Sequence, residues 1–83
     1  MNRKNIVGSR IRQARKELKI TQLELAARLQ VLGIRIDRSG IAKLEGGRRP
    51  ISDIEVVALS EVLKVPISDL FEGSRRLFPS VEA

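Results

Sequence analysis

The sequence predicts an all-α fold, a bundle of five short helices that contains no sheet. Apolar residues return every three or four positions near the start of the chain, at Val7, Ile11, Ala14 and Leu18. This spacing is typical of one buried face of a helix. Thr21 and Ser52 are each followed three positions later by a glutamate, Glu24 and Glu55. That is the spacing of a capping box, in which each side chain satisfies a backbone N–H at a helix start.

The first helix is predicted over residues 6–19, and the second over residues 22–30, where the Thr21 capping box opens it. Residues 31–36 alternate between apolar and other types and contain a glycine. Alternation by itself would fit a short strand, but a lone strand has no partner. We therefore interpret residues 31–36 as a connecting turn, longer than a tight turn between two helices.

The third helix is predicted over residues 38–45. Asp37 precedes it, and a carboxylate at this position accepts hydrogen bonds from unpaired N–H groups and suits the positive end of the helix dipole. Gly46 and Gly47 follow it, and glycine readily adopts the left-handed conformation that closes helices. Gly40 lies inside this helix, where it would allow close approach to a binding partner or to the first helix, or is simply tolerated.

The fourth helix follows Ser52, and Val56 makes it apolar on nearly every side, which predicts a place in the centre of the core. Pro66 ends the fourth helix or begins the next one, and residues 67–71 form a short fifth helix. The predicted core takes one or more apolar residues from every helix: Ile11, Leu18, Leu25, Leu29, Ile41, Leu44, Val57, Leu59, Leu63 and Leu70.

The composition excludes several classes of protein. The chain has 83 residues without cysteine or histidine, so neither a disulfide framework nor a thiolate or imidazole metal site is expected. No apolar run approaches the ~20 residues that span a membrane, and a cytoplasmic protein is expected. We predict one domain over residues 1–72 and a flexible tail over residues 73–83. No catalytic residue, metal or cofactor is predicted.

The net charge of +6 is unevenly distributed. Residues 1–20 hold seven basic groups against one acid, and residues 35–49 hold five against two. Residues 51–83 reverse the sign, with six acids against three bases. This layout favours one surface that faces a polyanion, although an ordinary solvated surface would also scatter charge.

Three segments together resemble a known family. They are Thr21-Gln22-x-x-Leu25-Ala26, Ile41 within the third helix, and Lys43-Leu44-Glu45-Gly46-Gly47 followed by a basic turn and Pro50. This order is similar to the helix-turn-helix family of phage repressors and Cro proteins, the XRE family. The resemblance implies a lambda-repressor-like bundle with a helix-turn-helix at helices two and three. It further implies a sequence-specific regulator of transcription, a repressor, that binds double-stranded DNA on the nucleoid.

The third helix matches the recognition helix of that family. Its exposed positions would contact bases in the major groove, at Arg38, Ser39, Ala42 and Lys43. Arginine can donate two hydrogen bonds to guanine, and an alanine methyl can touch the thymine methyl. The resemblance also suggests phosphate contacts, at Gln22, Arg35, Arg48 and Arg49. The plainer alternative for each of these residues is a solvated side chain.

The family also pairs an arginine of the first helix with a glutamate at the end of the recognition helix, which implies a structural ion pair between Arg15 and Glu45. A single recognition helix reads only a few base pairs, so a homodimer on a near-palindromic site is expected. The fifth helix and the tail are the predicted interface.

Other functions fit the sequence less well. Nothing pairs a nucleophile with a base, so an enzyme is not expected. The chain lacks tyrosine and tryptophan, and readers of single-stranded RNA usually present such rings. The alternative that stays open is an antitoxin-like or adaptor module. Such a module would hold a protein partner through the acidic C-terminal half and the tail residues Leu77, Phe78 and Val81.

Overall fold

Five α-helices form most of the backbone in a computed structural model of the chain, which describes residues 3–78. They are α1 (Gly8–Glu17), α2 (Gln22–Val31), α3 (Arg38–Glu45), α4 (Asp53–Leu63) and α5 (Ile67–Leu70). No strand occurs within residues 3–78, and the all-α prediction is confirmed. A 3-10 helix, Ser74–Leu77, follows α5 inside the segment predicted as a flexible tail. Val81, one of the proposed partner-binding residues, lies outside the described residues.

The predicted starts of α2, α3 and α4 are confirmed by their capping bonds, whereas α1 begins at Gly8 rather than at residue 6. Thr21 Oγ1 accepts from the Glu24 N–H at 3.0 Å, and the Glu24 carboxylate accepts from the Thr21 N–H at 3.0 Å. Ser52 opens α4 in the same reciprocal way. Asp37 Oδ1 accepts from the N–H of the third residue of α3 at 2.7 Å. These signals depend on neighbours in the sequence, which is why α3 begins and ends where the sequence predicted.

The core contains residues from all five helices and from the segments that join them. Its members are Val7, Ile11, Ala14, Ile20, Leu25, Ala26, Leu29, Ile36, Ile41, Leu44, Val56, Ala58, Leu59, Leu63 and Leu70. Two predictions need correction. Leu18 is only partly buried, and Val57 is 49% exposed. Since Ile54 is exposed as well, α4 is not surrounded by the core but leaves an apolar side in solvent.

The long turn between α2 and α3 is anchored by Ile36. This side chain is buried, and it packs against Gly40 in the first turn of α3. A Cβ atom on Gly40 would lie 2.8 Å from Ile36 Cγ2, closer than such atoms pack. Gly40 is therefore explained by the turn before its own helix, rather than by an approach to α1.

The described residues contain no helix that is both long and apolar enough to cross a bilayer. Among the same residues, 3–78, no group of three or more acidic side chains is placed to hold a metal ion.

Candidate nucleic-acid interface

Helix α3 presents one face to the core and the other to solvent. Ile41, Leu44 and Glu45 are buried. The four residues predicted to contact bases lie on the remaining surface, where Arg38, Ser39 and Lys43 are exposed and Ala42 is half-buried. The structure thus gathers all four on one outward strip of a single helix.

The structure contains the ion pair between Arg15 of α1 and Glu45 of α3. Arg15 Nε lies 2.7 Å from Glu45 Oε2, and Arg15 Nη2 lies 3.1 Å from Oε1. The side chains are 10% and 3% exposed, and Arg15 Nη1 also donates to the Ile20 carbonyl at 2.9 Å. A bidentate pair of this kind has a rigid geometry, so it fixes the end of α3 against α1.

Gln22 joins this pair from the first position of α2. Its amide Nε2 donates to Glu45 Oε1 at 3.1 Å, and the side chain is half-buried. Gln22 was predicted as a phosphate contact through its amide and the start of α2. One amide hydrogen is instead engaged inside the protein, so a phosphate contact would use the second amide hydrogen or the backbone N–H groups at the start of α2.

The two arginines of the loop after α3 have different surroundings. Arg49 forms a bidentate pair with Glu55 of α4, with both N–O distances at 3.1 Å. These hydrogen bonds lower the pKa of Glu55 and raise that of Arg49. Arg48 is exposed and forms no ion pair within residues 3–78. Arg48 is thus available to a ligand, whereas Arg49 mainly ties the loop to α4.

An open groove of about 700 Å³ runs between α2 and the start of α3. Its floor includes Leu23, Ala27 and Ile34, and the two exposed arginines Arg35 and Arg38 border it. The long turn forms one wall, which places Arg35 next to the outward strip of α3. The predicted role of the turn as an additional contact stays a prediction.

Asn5 is a buried polar residue that sequence reasoning missed. Its Oδ1 accepts from the N–H groups of Val7 and Gly8, at 3.0 and 2.8 Å. Its Nδ2 donates to the carbonyls of Leu44 and Arg49, at 3.0 and 2.7 Å. Asparagine just before an apolar helix is a known start signal, but its link to α3 could not be read from local sequence.

Gly8 lies where α1 crosses the end of α3. A Cβ atom at Gly8 would overlap the Leu44 carbonyl oxygen and lie 2.8 Å from that of Glu45. Only glycine lets the two backbones come this close, so Gly8 also helps to set the position of α3.

A helix-turn-helix family model matches residues 11–70, which is more than half of the chain and extends from α1 to the end of α5. The chain belongs to the helix-turn-helix family. It is a DNA-binding regulator of transcription and not an enzyme. The resemblance to phage repressors and Cro proteins is confirmed.

Two solved structures are similar to this helix-turn-helix protein at a TM-score of 0.68 and 29% identity. One is the restriction-modification controller protein C.AhdI from Aeromonas hydrophila, and the match covers 78% of this chain and 87% of that one. The other is the P22 c2 repressor protein in complex with the synthetic operator 9T in the presence of Tl+. That match covers 83% of this chain and 97% of the other. Comparison with curated proteins gives no match.

Proposed function

We propose that the protein recognises a specific site in double-stranded DNA and represses transcription from it. The observation that supports this proposal is the outward strip of α3, in which Arg38, Ser39 and Lys43 are exposed while the opposite side is buried. A helix held in this way can enter the major groove and present donors to base edges. The similar P22 c2 repressor is bound to an operator, and activity on DNA would place this protein on the nucleoid, in the cytoplasm.

The phosphate contacts are assigned around this strip. Arg48 is the strongest candidate because it is exposed and unpaired among residues 3–78. The start of α2 at Gln22 supplies backbone N–H groups, and Arg35 lies beside the strip in the long turn. Arg49 is paired with Glu55, so a phosphate contact through its guanidinium requires that pair to open on DNA. Contacts of this kind position the protein and carry no sequence information.

The protein acts as a homodimer on a near-palindromic site in this proposal. Ile67 and Phe71 are exposed apolar residues four positions apart at α5, and Phe78 is exposed further on. The same half of the chain carries the excess of acidic residues. An interface there leaves the basic half free for DNA.

Selection from a random DNA pool tests the proposal directly. The full chain should enrich one near-palindromic sequence, and binding to it should weaken steeply as salt rises, because phosphate contacts release counterions. The matched control is a scrambled duplex of the same composition. Enrichment of no sequence, together with binding that is weak at every salt concentration, would contradict DNA recognition and favour a protein-binding adaptor.

A further inference from the structure

The segment before α1 is bonded to the turn that follows α3. The Lys4 N–H donates to the Gly47 carbonyl at 2.7 Å. Asn5, which is 8% exposed, donates to the Leu44 carbonyl at the end of α3 and to the Arg49 carbonyl in the basic loop. Three hydrogen bonds thus hold the start of the described chain against the recognition helix and its loop.

This attachment brings further positive charge to the basic loop. Arg3 and Lys4 are exposed, as is Arg48, and none of the three forms an ion pair within residues 3–78. The stem of Arg3 packs against Gly47, where a Cβ atom would lie 3.6 Å from Arg3 Cγ. A small depression beside this contact is lined by Arg3, Asn5 and Gly47, among others, and its one acidic residue is Glu45, whose charge is already matched by Arg15.

We propose that Arg3 and Lys4 form a third phosphate-binding element, which Asn5 holds beside Arg48. The inference rests on the proposed DNA binding and extends it to residues outside the helix-turn-helix. Like charges at one place repel each other, and a DNA backbone removes that cost. The competing explanation is that the two cations only complement the negative end of the α3 dipole. That role would affect stability and leave DNA binding unchanged.

A pair of double variants separates these explanations. Arg3→Gln with Lys4→Gln removes the two charges from exposed side chains. Arg28→Gln with Lys64→Gln is the matched control, because it removes two exposed charges from other elements, one on α2 and one at the end of α4. On the selected DNA site, the first variant should bind with a shallower salt dependence. The magnitude of the slope of log affinity against log salt should fall by about one to two, since each lost phosphate contact is worth about 0.9. The control should leave the slope nearly unchanged.

Asn5→Ser tests the attachment. Serine can still cap α1, but it is too short to bond both carbonyls. We expect Asn5→Ser to reduce the magnitude of the salt slope although no charge is lost. Adding Arg3→Gln with Lys4→Gln to this variant should then change the slope less than it does in the wild type, because the effects of coupled residues are not additive. Full additivity would show that Asn5 does not hold this segment. Should the variant lose helicity, the Arg3 and Lys4 side-chain signals of the wild type are followed by NMR instead. They must shift on DNA binding, and unchanged signals overturn the proposal.

The outcomes are distinguishable from failure of DNA binding itself. A wild-type chain that selects no DNA site removes the proposed function. A wild type that binds its site, with equal slopes for the two double variants, removes only this inference.

Discussion

Arg38 and Arg48 are both exposed, but they lie on different parts of the surface. Arg38 is the first residue of α3, and Arg48 follows the end of that helix. Arg38→Ala should cost about 1–3 kcal/mol on the preferred site and relax the choice at one base pair, with little effect on random DNA. Arg48→Ala should weaken binding to both kinds of DNA alike and lower the salt slope by about one. Titrations on both DNAs at several salt concentrations measure the contrast.

Both arginine variants must first show wild-type helicity by circular dichroism, because an unfolded chain would mimic either result. If Arg38→Ala keeps the sequence preference of the wild type, α3 is not the reading element as proposed. Arg35 would then be the next residue to test, since it borders the same groove.

Gly8 gives a prediction about stability at a single residue. Gly8→Ala should lower the free energy of unfolding by about 1–3 kcal/mol, the usual cost of overpacking, because the new methyl group meets the backbone carbonyls of Leu44 and Glu45. Gly46→Ala is the control, since its close contact would be with the flexible Arg48 side chain at 3.2 Å, and the Ala42 carbonyl oxygen lies at an ordinary 3.5 Å. Urea unfolding measures both variants. Equal stability of Gly8→Ala and the wild type would contradict the close approach.

The residues that sequence analysis predicted well are those whose role depends on near neighbours. Thr21 and Asp37 each accept a hydrogen bond from the backbone N–H three positions later, so their spacing was informative. Asn5 and Gly8 act on residues about forty positions later, and no local pattern carries that information. Arg15 and Glu45 are also distant, and only the family resemblance indicated their contact.

At the scale of the elements, the N-terminus of α4 depends on Glu55. This carboxylate accepts from the Ser52 N–H and pairs with Arg49, and the hydrogen bonds from Arg49 are the main cause of its lowered pKa. Because the pKa of Glu55 is lowered in the folded state, its charge stabilises the fold at pH values above its usual pKa of about 4.5. This stability is lost as the pH falls through the folded pKa.

Glu55→Gln should therefore be less stable than the wild type near neutral pH. The deficit should be no more than about 1 kcal/mol, because the pair is partly exposed. It should shrink as the pH falls below about 4.5, where the wild type also loses its charge. Urea unfolding at several pH values measures the difference, and a deficit that stays constant down to strong acid would rule out the ion pair as its source.

Helix α4 shows where element-level prediction failed. Apolar residues lie on nearly every side of this helix, so the period of the pattern could not indicate which side faces the core. The other elements decide this: α4 packs against α1, α2 and α5, and Val56, Leu59 and Leu63 face them. Val57 and Ile54 are left in solvent. The bounds of α1 were likewise predicted too long: Asn5 accepts from the N–H groups of Val7 and Gly8 at its start, and the chain leaves the helix before Lys19, whose φ is 60°.

At the scale of the whole molecule, the fold joins the separate basic segments of the sequence. The basic residues 3–20 and 35–49 are far apart in the chain, yet Asn5 and the Arg15–Glu45 pair bring their ends together around α3. The acidic half of the chain supplies α4 and α5, and an ion pair between Arg10 and Asp69 attaches α5 to α1. The molecule therefore has a basic side built on α3, which is the side proposed to face DNA, and its exposed apolar residues at α5 remain for another contact.

That contact gives the prediction on assembly. Ile67 and Phe71 are 43% and 36% exposed, and burying them in a homodimer would contribute about 1–3 kcal/mol. Ile67→Ser with Phe71→Ser should therefore weaken binding to the full selected site by roughly tenfold or more, while binding to an isolated half-site is retained. Val31→Ser with Leu32→Ser is the control. It removes two exposed apolar side chains at the end of α2 and should change neither binding to the full site nor binding to the half-site.

Stoichiometry is measured by light scattering of the complexes: two chains on the full site and one on the half-site are expected. A single chain on an asymmetric selected site would exclude the dimer, and equal loss on full and half-sites would show that the α5 residues act within one chain rather than between two.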